Sequence, residues 1–326
     1  MTILRHIKAA AAAGLLALGA APALAQSQEM RFAMVTPPSH VWTQFANHFA
    51  EGVAEATEGE ITVSVFPAGQ LGNEAEMLQQ ISAGVLEMGI MTAGTMSLRA
   101  PDFAAWQDPF AFADVSEAIA AADTEAAQAM LDSLEPQGMR GMGYIFAGMR
   151  HILMSDRDVT ALSDLASQKV RILPFPAALT WWRAAGAVPT PVALGDVYQA
   201  LSSGLLDGVD IDLDALVGFS MQQAAEHLIL TNHIAFPGVV VMSDNTWNAL
   251  TSEQQAALSK VFEESFAWGN ALQVEAEAAN LARLEGEIAI TRLDNAREIF
   301  APANEAYEAQ FGELPLLQAL REQTGR

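Results

Sequence analysis

The chain has no cysteine. No disulfide can staple it, and no thiolate can hold a metal. Basic residues are scarce: 16 Lys and Arg stand against 39 Asp and Glu, a formal charge of −23. Such a surface repels nucleic acid and anionic lipid. It repels a small anion at long range too, so an acidic ligand must be caught by local positive charge. The six histidines (His6, His40, His48, His151, His227 and His233) are scattered, with no His-Glu-x-x-His pair, so no metal site is expected. There is no Gly-x-Ser-x-Gly nucleophile elbow. The segment Gly138-Met139-Arg140-Gly141-Met142-Gly143 has the wrong spacing for a phosphate loop, so no cofactor is expected. The 14 methionines are dispersed and read as core filler.

The N-terminus reads as an export signal, residues 1–25. Arg5, His6 and Lys8 precede an apolar run over 9–21, and Ala23-Leu24-Ala25 is a small-x-small cleavage site before Gln26 and Ser27. The run is short for a retained membrane anchor of roughly 20 residues. No cysteine follows it, which argues against a lipoprotein, and no later stretch is long and apolar enough to span a membrane. Without Arg5 and Lys8 the balance is 14 basic against 39 acidic residues, or −25. The remaining chain is long enough for two lobes of ordinary domain size.

Its first third alternates. Strands are expected over 30–35, 61–66 and 86–91, with helices over 42–56 and 74–83 between them. That rhythm predicts parallel α/β architecture. Further strands are expected over 142–147 and 239–243, a small-residue helix over 118–129, a helical hairpin over 245–260 and one long helix over 262–289.

Arg171 ends the short apolar strand Val170-Arg171-Ile172. A guanidinium there is costly to bury unless it meets an anion, and its planar fork fits a carboxylate by two parallel hydrogen bonds. A second arginine, Arg150, lies 21 positions earlier. Two arginines at one site suit a ligand with two acidic ends. The alternative is a hinge-surface charge paired to an acidic neighbour. Asp210 and Asp212 share one face of a strand at period two, or else are outward and solvated. If buried, they should meet a hydroxyl, an ammonium, a cation or Arg150. Asp212 is then expected to favour an acid bearing a hydroxyl or amino group.

The order of these pieces closely resembles the periplasmic solute-binding subunits of TRAP transporters, the dicarboxylate-binding type. The resemblance runs through Glu55-Ala56-Thr57-Glu58-Gly59-Glu60-Ile61-Thr62-Val63, Phe66-Pro67-Ala68-Gly69-Gln70-Leu71-Gly72, Asp108-Pro109-Phe110-Ala111-Phe112 and Tyr198 to Asp210. It implies a two-lobed, Venus-flytrap binding protein with a cleft between the lobes and a long late helix crossing both. Lobe I is expected over 26–148 plus about 236–275, and lobe II over 149–235 plus about 276–326. The implied function is capture of a small organic acid in the periplasm for a small and a large membrane subunit, by a monomer that is not an enzyme. A secreted enzyme on an organic acid, or a sensor-kinase partner, are the alternatives.

By the same resemblance, Arg171 clamps the solute carboxylate and Arg150 is a second anion-binding arginine. His40 and Trp42 line the cleft, and one of Trp181 and Trp182 (Trp182 is the candidate) faces it. Asp207 is structural. Ile211 stands where the family commonly has a solute-binding asparagine. Glu74 matches an acidic contact of sialic-acid-binding relatives, although helix capping explains it equally well. Thr92 replaces their glutamate, which argues against that solute.

Overall fold

The computed structural model describes residues 28–326, so the expected export signal lies outside the described residues. The expected alternation opens the chain: β1 (Gln28–Ala33), α1 (Val41–Ala56), β2 (Ile61–Phe66), α2 (Glu74–Ser82) and β3 (Met88–Thr92). β1 pairs in parallel with both β2 and β3. α1 buries Phe45, Phe49 and Val53 along one face. Next come α3 (Ala93–Met96), α4 (Val115–Ala121) and α5 (Glu125–Asp132). The single helix expected over 118–129 is therefore two, because the Thr124 side chain accepts from Ala127 N and caps a fresh start.

β4 (Met139–Met154) is far longer than the strand expected over 142–147. The chain then runs β5 (Lys169–Ile172), α6 (Pro176–Ala184), β6 (Val188–Pro191), α7 (Val197–Ser202), β7 (Gly208–Asp212), α8 (Leu213–Gly218), β8 (His227–Leu230) and β9 (Ala235–Ser243). After these come α9 (Asp244–Ala249), α10 (Ser252–Leu284), β10 (Ala289–Arg292), α11 (Ala296–Ile299), α12 (Ala301–Phe311) and α13 (Pro315–Gln323).

The strands form two groups that share β4. In the first lobe the order is β2-β1-β3-β9-β4. Residues 139–149 of β4 lie antiparallel to β9. From Arg150 onward the same strand is flanked by β7 on one side and β8 on the other, with β5 and β6 beyond β7 and β10 beyond β8. The change of partner occurs at a register shift between Phe146 and Met149. Gly148 sits there at φ 92°, and a Cβ on it would meet Gln273 and Glu277 at 2.8 Å. The backbone N–H groups freed by the shift donate to α10: Phe146 N to Asn270 Oδ1 (3.1 Å) and Met149 N to Glu277 Oε1 (3.3 Å).

α10 starts ten residues earlier than expected. Thr251 and Gln254 form a capping box, so the stretch expected to be a helical hairpin is a short helix, a break and the first turns of α10. Its 33 residues reach about 50 Å at 1.5 Å per residue. Phe262 stacks on Phe49 of the first lobe at 4.0 Å between ring centroids, and Asn280 Nδ2 donates to Asp214 Oδ1 of the second at 3.3 Å. Phe262→Ala should therefore cost about 3–5 kcal/mol of stability in urea denaturation, from lost burial and the cavity left against Phe49.

Candidate functional site

The two lobes meet at the carboxyl ends of their parallel strands, where ligands of open α/β sheets commonly sit. Between them lies a cavity of about 680 Å³. One wall follows β1, β2 and β3 and includes Val35, Gly69, Asn73, Glu74, Thr95 and Leu98. The other follows β5 and β6 and includes Arg171, Leu173, Phe175, Val192, Leu194 and Asp196. Close packing holds the walls together. A Cβ on Gly94 would fall 2.2 Å from the Phe175 ring, and one on Gly218 would fall 2.8 Å from Pro37.

Of the ten residues singled out from the sequence, Arg171 and Glu74 line this cavity. Arg171 is only 3 % exposed. Its Nε donates to Val192 O at 3.0 Å, and among the described residues its two Nη groups have no hydrogen-bond partner and no carboxylate within 4 Å. Burial, with Arg150 nearby, pushes its guanidinium down to about 10. A buried guanidinium with no carboxylate in contact has two N–H groups aimed where an anion would be favoured.

Glu74 faces it from the other lobe. Asn73 and Glu76 cap α2, so Glu74 is not needed for capping. Its Oε1 accepts from Thr92 N (2.8 Å), and its Oε2 accepts from the hydroxyls of Thr92 (2.9 Å) and Thr95. Burial raises its carboxyl above the usual range, against those hydrogen bonds and the pull of Arg171. Thr92 caps α3 through Thr95 N and holds Glu74 in place.

The remaining candidates, except Thr92 and Ile211, form a second, filled cluster. Arg150 lies inside β4, 3 % exposed. Its Nε donates to Asp210 Oδ1 (2.6 Å), its Nη1 to Asp212 Oδ2 (3.2 Å) and its Nη2 to the Asp210 carbonyl. Its guanidinium also lies over the Phe236 ring at 4.2 Å, and Trp42 stacks on that same ring at 6.1 Å between centroids. Asp210 Oδ2 accepts from Trp182 Nε1 (2.9 Å). Asp212 Oδ1 accepts from Ala215 N (2.7 Å) as the cap of α8. Burial alone would raise both carboxyls. For Asp210, Arg150 and His233 reverse it; for Asp212, His40 and Arg150 do, and both end below the usual range.

His40 caps α1 with Nδ1 accepting from Trp42 N (3.0 Å), and its Nε2 stands 3.5 Å from Asp212 Oδ1. Burial opposes its protonation, but Asp214 and Asp212 outweigh burial and raise its basicity. Asp214 also accepts from Val41 N (2.7 Å), a second tie between the lobes.

Three expectations are corrected by this geometry. Arg150 is committed to two aspartates, so the pair of arginines does not offer two open anion sites. Asp212 has both oxygens engaged, by Ala215, Arg150 and His40, and keeps none facing the cavity. Ile211 points opposite to the aspartates, by strand alternation, into an apolar cluster with Leu153, Val209 and Leu228. Asp207 is structural, as expected: its Oδ2 accepts from Lys169 N (2.7 Å) and ties β5 to β7. The sequence reading missed Thr95, Phe175 and Leu194 as cavity walls. It also missed His233, whose ring stacks on Trp181 at 5.0 Å beside Asp210. Phe175 lies four residues after Arg171, a proximity that was available in the sequence.

Comparison with known proteins agrees with this architecture. A family described as bacterial extracellular solute-binding protein, family 7, matches residues 32–311. A solute-binding protein of Sulfitobacter sp. is 27% identical over 299 residues, covering 90% of each chain. A TRAP periplasmic solute-binding protein of Bradyrhizobium sp., solved in complex with D-galacturonate, superposes with a TM-score of 0.86 at 27% identity, over 92% of this chain and 100% of that one. One from Bordetella, with density assigned as pantoate, gives 0.85 at 26% identity, over 91% and 99%.

The two arginines should respond oppositely to removal. Arg150→Ala leaves Asp210 and Asp212 buried without their cation and should cost about 3–5 kcal/mol in urea denaturation. Arg171→Met removes a cation with no ion-pair partner among the described residues and should cost less than about 1 kcal/mol without ligand, or stabilise the fold.

A pH dependence follows from Glu277, half-buried against the register shift of β4. Burial pushes its carboxyl up to about 7 from an ordinary 4.5. A raised carboxyl stabilises the fold fully below its unfolded value, and that contribution is lost as pH rises through the folded one. The stability of wild type relative to Glu277→Gln should thus fall between pH 4.5 and about 7 and level off above. A pH-independent difference in denaturation free energy would return Glu277 to an ordinary surface carboxylate.

Proposed function

Because the chain belongs to the bacterial extracellular solute-binding proteins of family 7, we propose that it is the periplasmic capture subunit of a TRAP-type secondary transporter and that it carries a small organic acid. The observation that supports this most is the buried, unpaired fork of Arg171 at a cavity between two lobes. A carboxylate placed there gains two charge-assisted hydrogen bonds and neutralises a charge the protein leaves open. The ligands named for the similar Bradyrhizobium and Bordetella proteins, galacturonate and pantoate, each carry a carboxylate.

Capture needs no catalytic base. It needs differential affinity for one arrangement of the lobes. Arg171 and Leu194 come from one lobe, Glu74 and Leu98 from the other. A ligand touching both walls favours the arrangement in which they face each other, and β4 and α10 are the elements that must flex between them. The closed form is then the one recognised by the small and large membrane subunits. No ATP is spent at this chain; an ion gradient drives the membrane step.

Arg171→Lys keeps the charge but loses the fork. It should lower affinity for the bound acid by roughly 2–4 kcal/mol in titration calorimetry, with the fold intact. Wild-type affinity in this variant would remove Arg171 from the site and the proposal with it. Small-angle scattering should also show a smaller radius of gyration when the acid is added.

A further inference from the structure

We propose that the acid taken at this site is a monocarboxylate with an apolar body, and that dicarboxylates and polyhydroxylated sugar acids are poor ligands. This rests on the capture reading above and narrows it. Three observations carry it.

The first is the count of open cations. Arg171 has two free Nη groups at the cavity. Arg150, the other buried arginine nearby, is held by both Asp210 and Asp212 and lies over Phe236. A second ligand carboxylate would have to break that arrangement or sit unpaired beside Glu74, which repels it. One acid group is matched and a second is opposed.

The second is the wall. Val35, Leu98, Leu173, Phe175, Val192 and Leu194 turn toward the cavity from both lobes. The volume, about 680 Å³, is far more than a four-carbon diacid fills and lies within the ordinary range for larger organic ligands.

The third is the state of the polar groups on that wall. Asn73 Oδ1 accepts from Glu76 N, and the Thr95 hydroxyl donates to Glu74. Glu74 Oε2 already accepts from two hydroxyls, while Oε1 accepts from Thr92 N alone. Oε1 therefore has room for one further donor, such as a hydroxyl next to the ligand carboxylate. The Asn73 amide N–H2 and the Asp196 carboxylate are unengaged but lie at the exposed rim, so a ring of hydroxyls carried inward meets mainly apolar side chains, and each hydroxyl buried without a partner is penalised. The chain would thus share the fold of the galacturonate-bound Bradyrhizobium protein and differ from it in ligand class.

The test is calorimetric titration of the mature protein with butanoate, hexanoate and octanoate, and with succinate and D-glucuronate, repeated on Arg171→Met. Transfer of methylenes onto an apolar wall predicts about fourfold tighter binding per added CH2. Hexanoate should bind at least about tenfold more tightly than succinate or D-glucuronate, and Arg171→Met should lose it. An affinity that stays flat along the series, or tighter binding of succinate or D-glucuronate than of every monocarboxylate, overturns the inference. If such a diacid or sugar acid binds and Arg171→Met abolishes it, capture of acids by Arg171 stands and only the apolar specificity falls. If no acid binds wild type at millimolar concentration, both fall.

Discussion

The buried pairing of Arg150 with Asp210 and Asp212 is the constraint on which the rest of the site depends. It joins β4 to β7 at the point where β4 enters the second lobe. Each partner then fixes another element. Asp210 receives the Trp182 indole of α6, and Asp212 caps α8 and meets His40 at the start of α1 in the other lobe. Two carboxylates on one guanidinium leave a local excess of negative charge, which raises the basicity of His40, 3.5 Å from Asp212. The aspartates are spent on Arg150, so Arg171 receives neither, although both lie close enough to support its charge. An open cation at the cavity follows from a closed one behind it.

Arg171 was legible because a local argument suffices: a charged residue inside a four-residue apolar strand needs an explanation within reach of that strand. The like facing of Asp210 and Asp212 was legible for the same reason, since strand periodicity alone sets it. What they face was legible only as one of several alternatives, a hydroxyl, an ammonium, a cation or Arg150. Arg150 lies 60 positions before Asp210, and only the pairing of β4 with β7 brings them together. Ile211 stood between two residues of interest, and alternation sends it the other way. Glu74 shows the opposite case. Its place at a helix start invited a capping role, but Asn73 and Glu76 already satisfied the end of α2, and that freed Glu74 to reach Thr92 and Thr95.

The same contrast runs through the fold. The β1–α1–β2–α2–β3 run was readable because each element carries its own period. β4 was not, because Gly141, Gly143 and Gly148 break the pattern that strand propensity rewards. Those glycines have a tertiary purpose. At Gly143 a Cβ would strike the Phe266 ring at 2.5 Å, and at Gly148 it would strike Gln273 and Glu277, all on α10. The strand gives up side chains so that the long helix can lie against it and take its unpaired N–H groups. A single sequence shows the missing side chains and not the helix that needs the space.

This contact between β4 and α10 also bears on how ligand binding reaches the whole molecule. Both elements cross from one lobe to the other, and at the register shift their contact adds hydrogen bonds through Asn270 and Glu277 to the apolar packing of Ile145 on Gly269. Hydrogen bonds of this kind tolerate small changes of angle better than an interdigitated core does. The apolar contacts of α10 continue on either side, at Phe262 and Phe266 against Phe49 and Phe45 and at Leu281 and Leu284 in the second lobe's core. The helix is thus packed into both lobes, and between those contacts it takes the N–H groups that the strand leaves unpaired. If an anion binds Arg171 as proposed, the register shift of β4, where the strand changes partners, is the place at which its free energy would be expressed as a change in lobe angle.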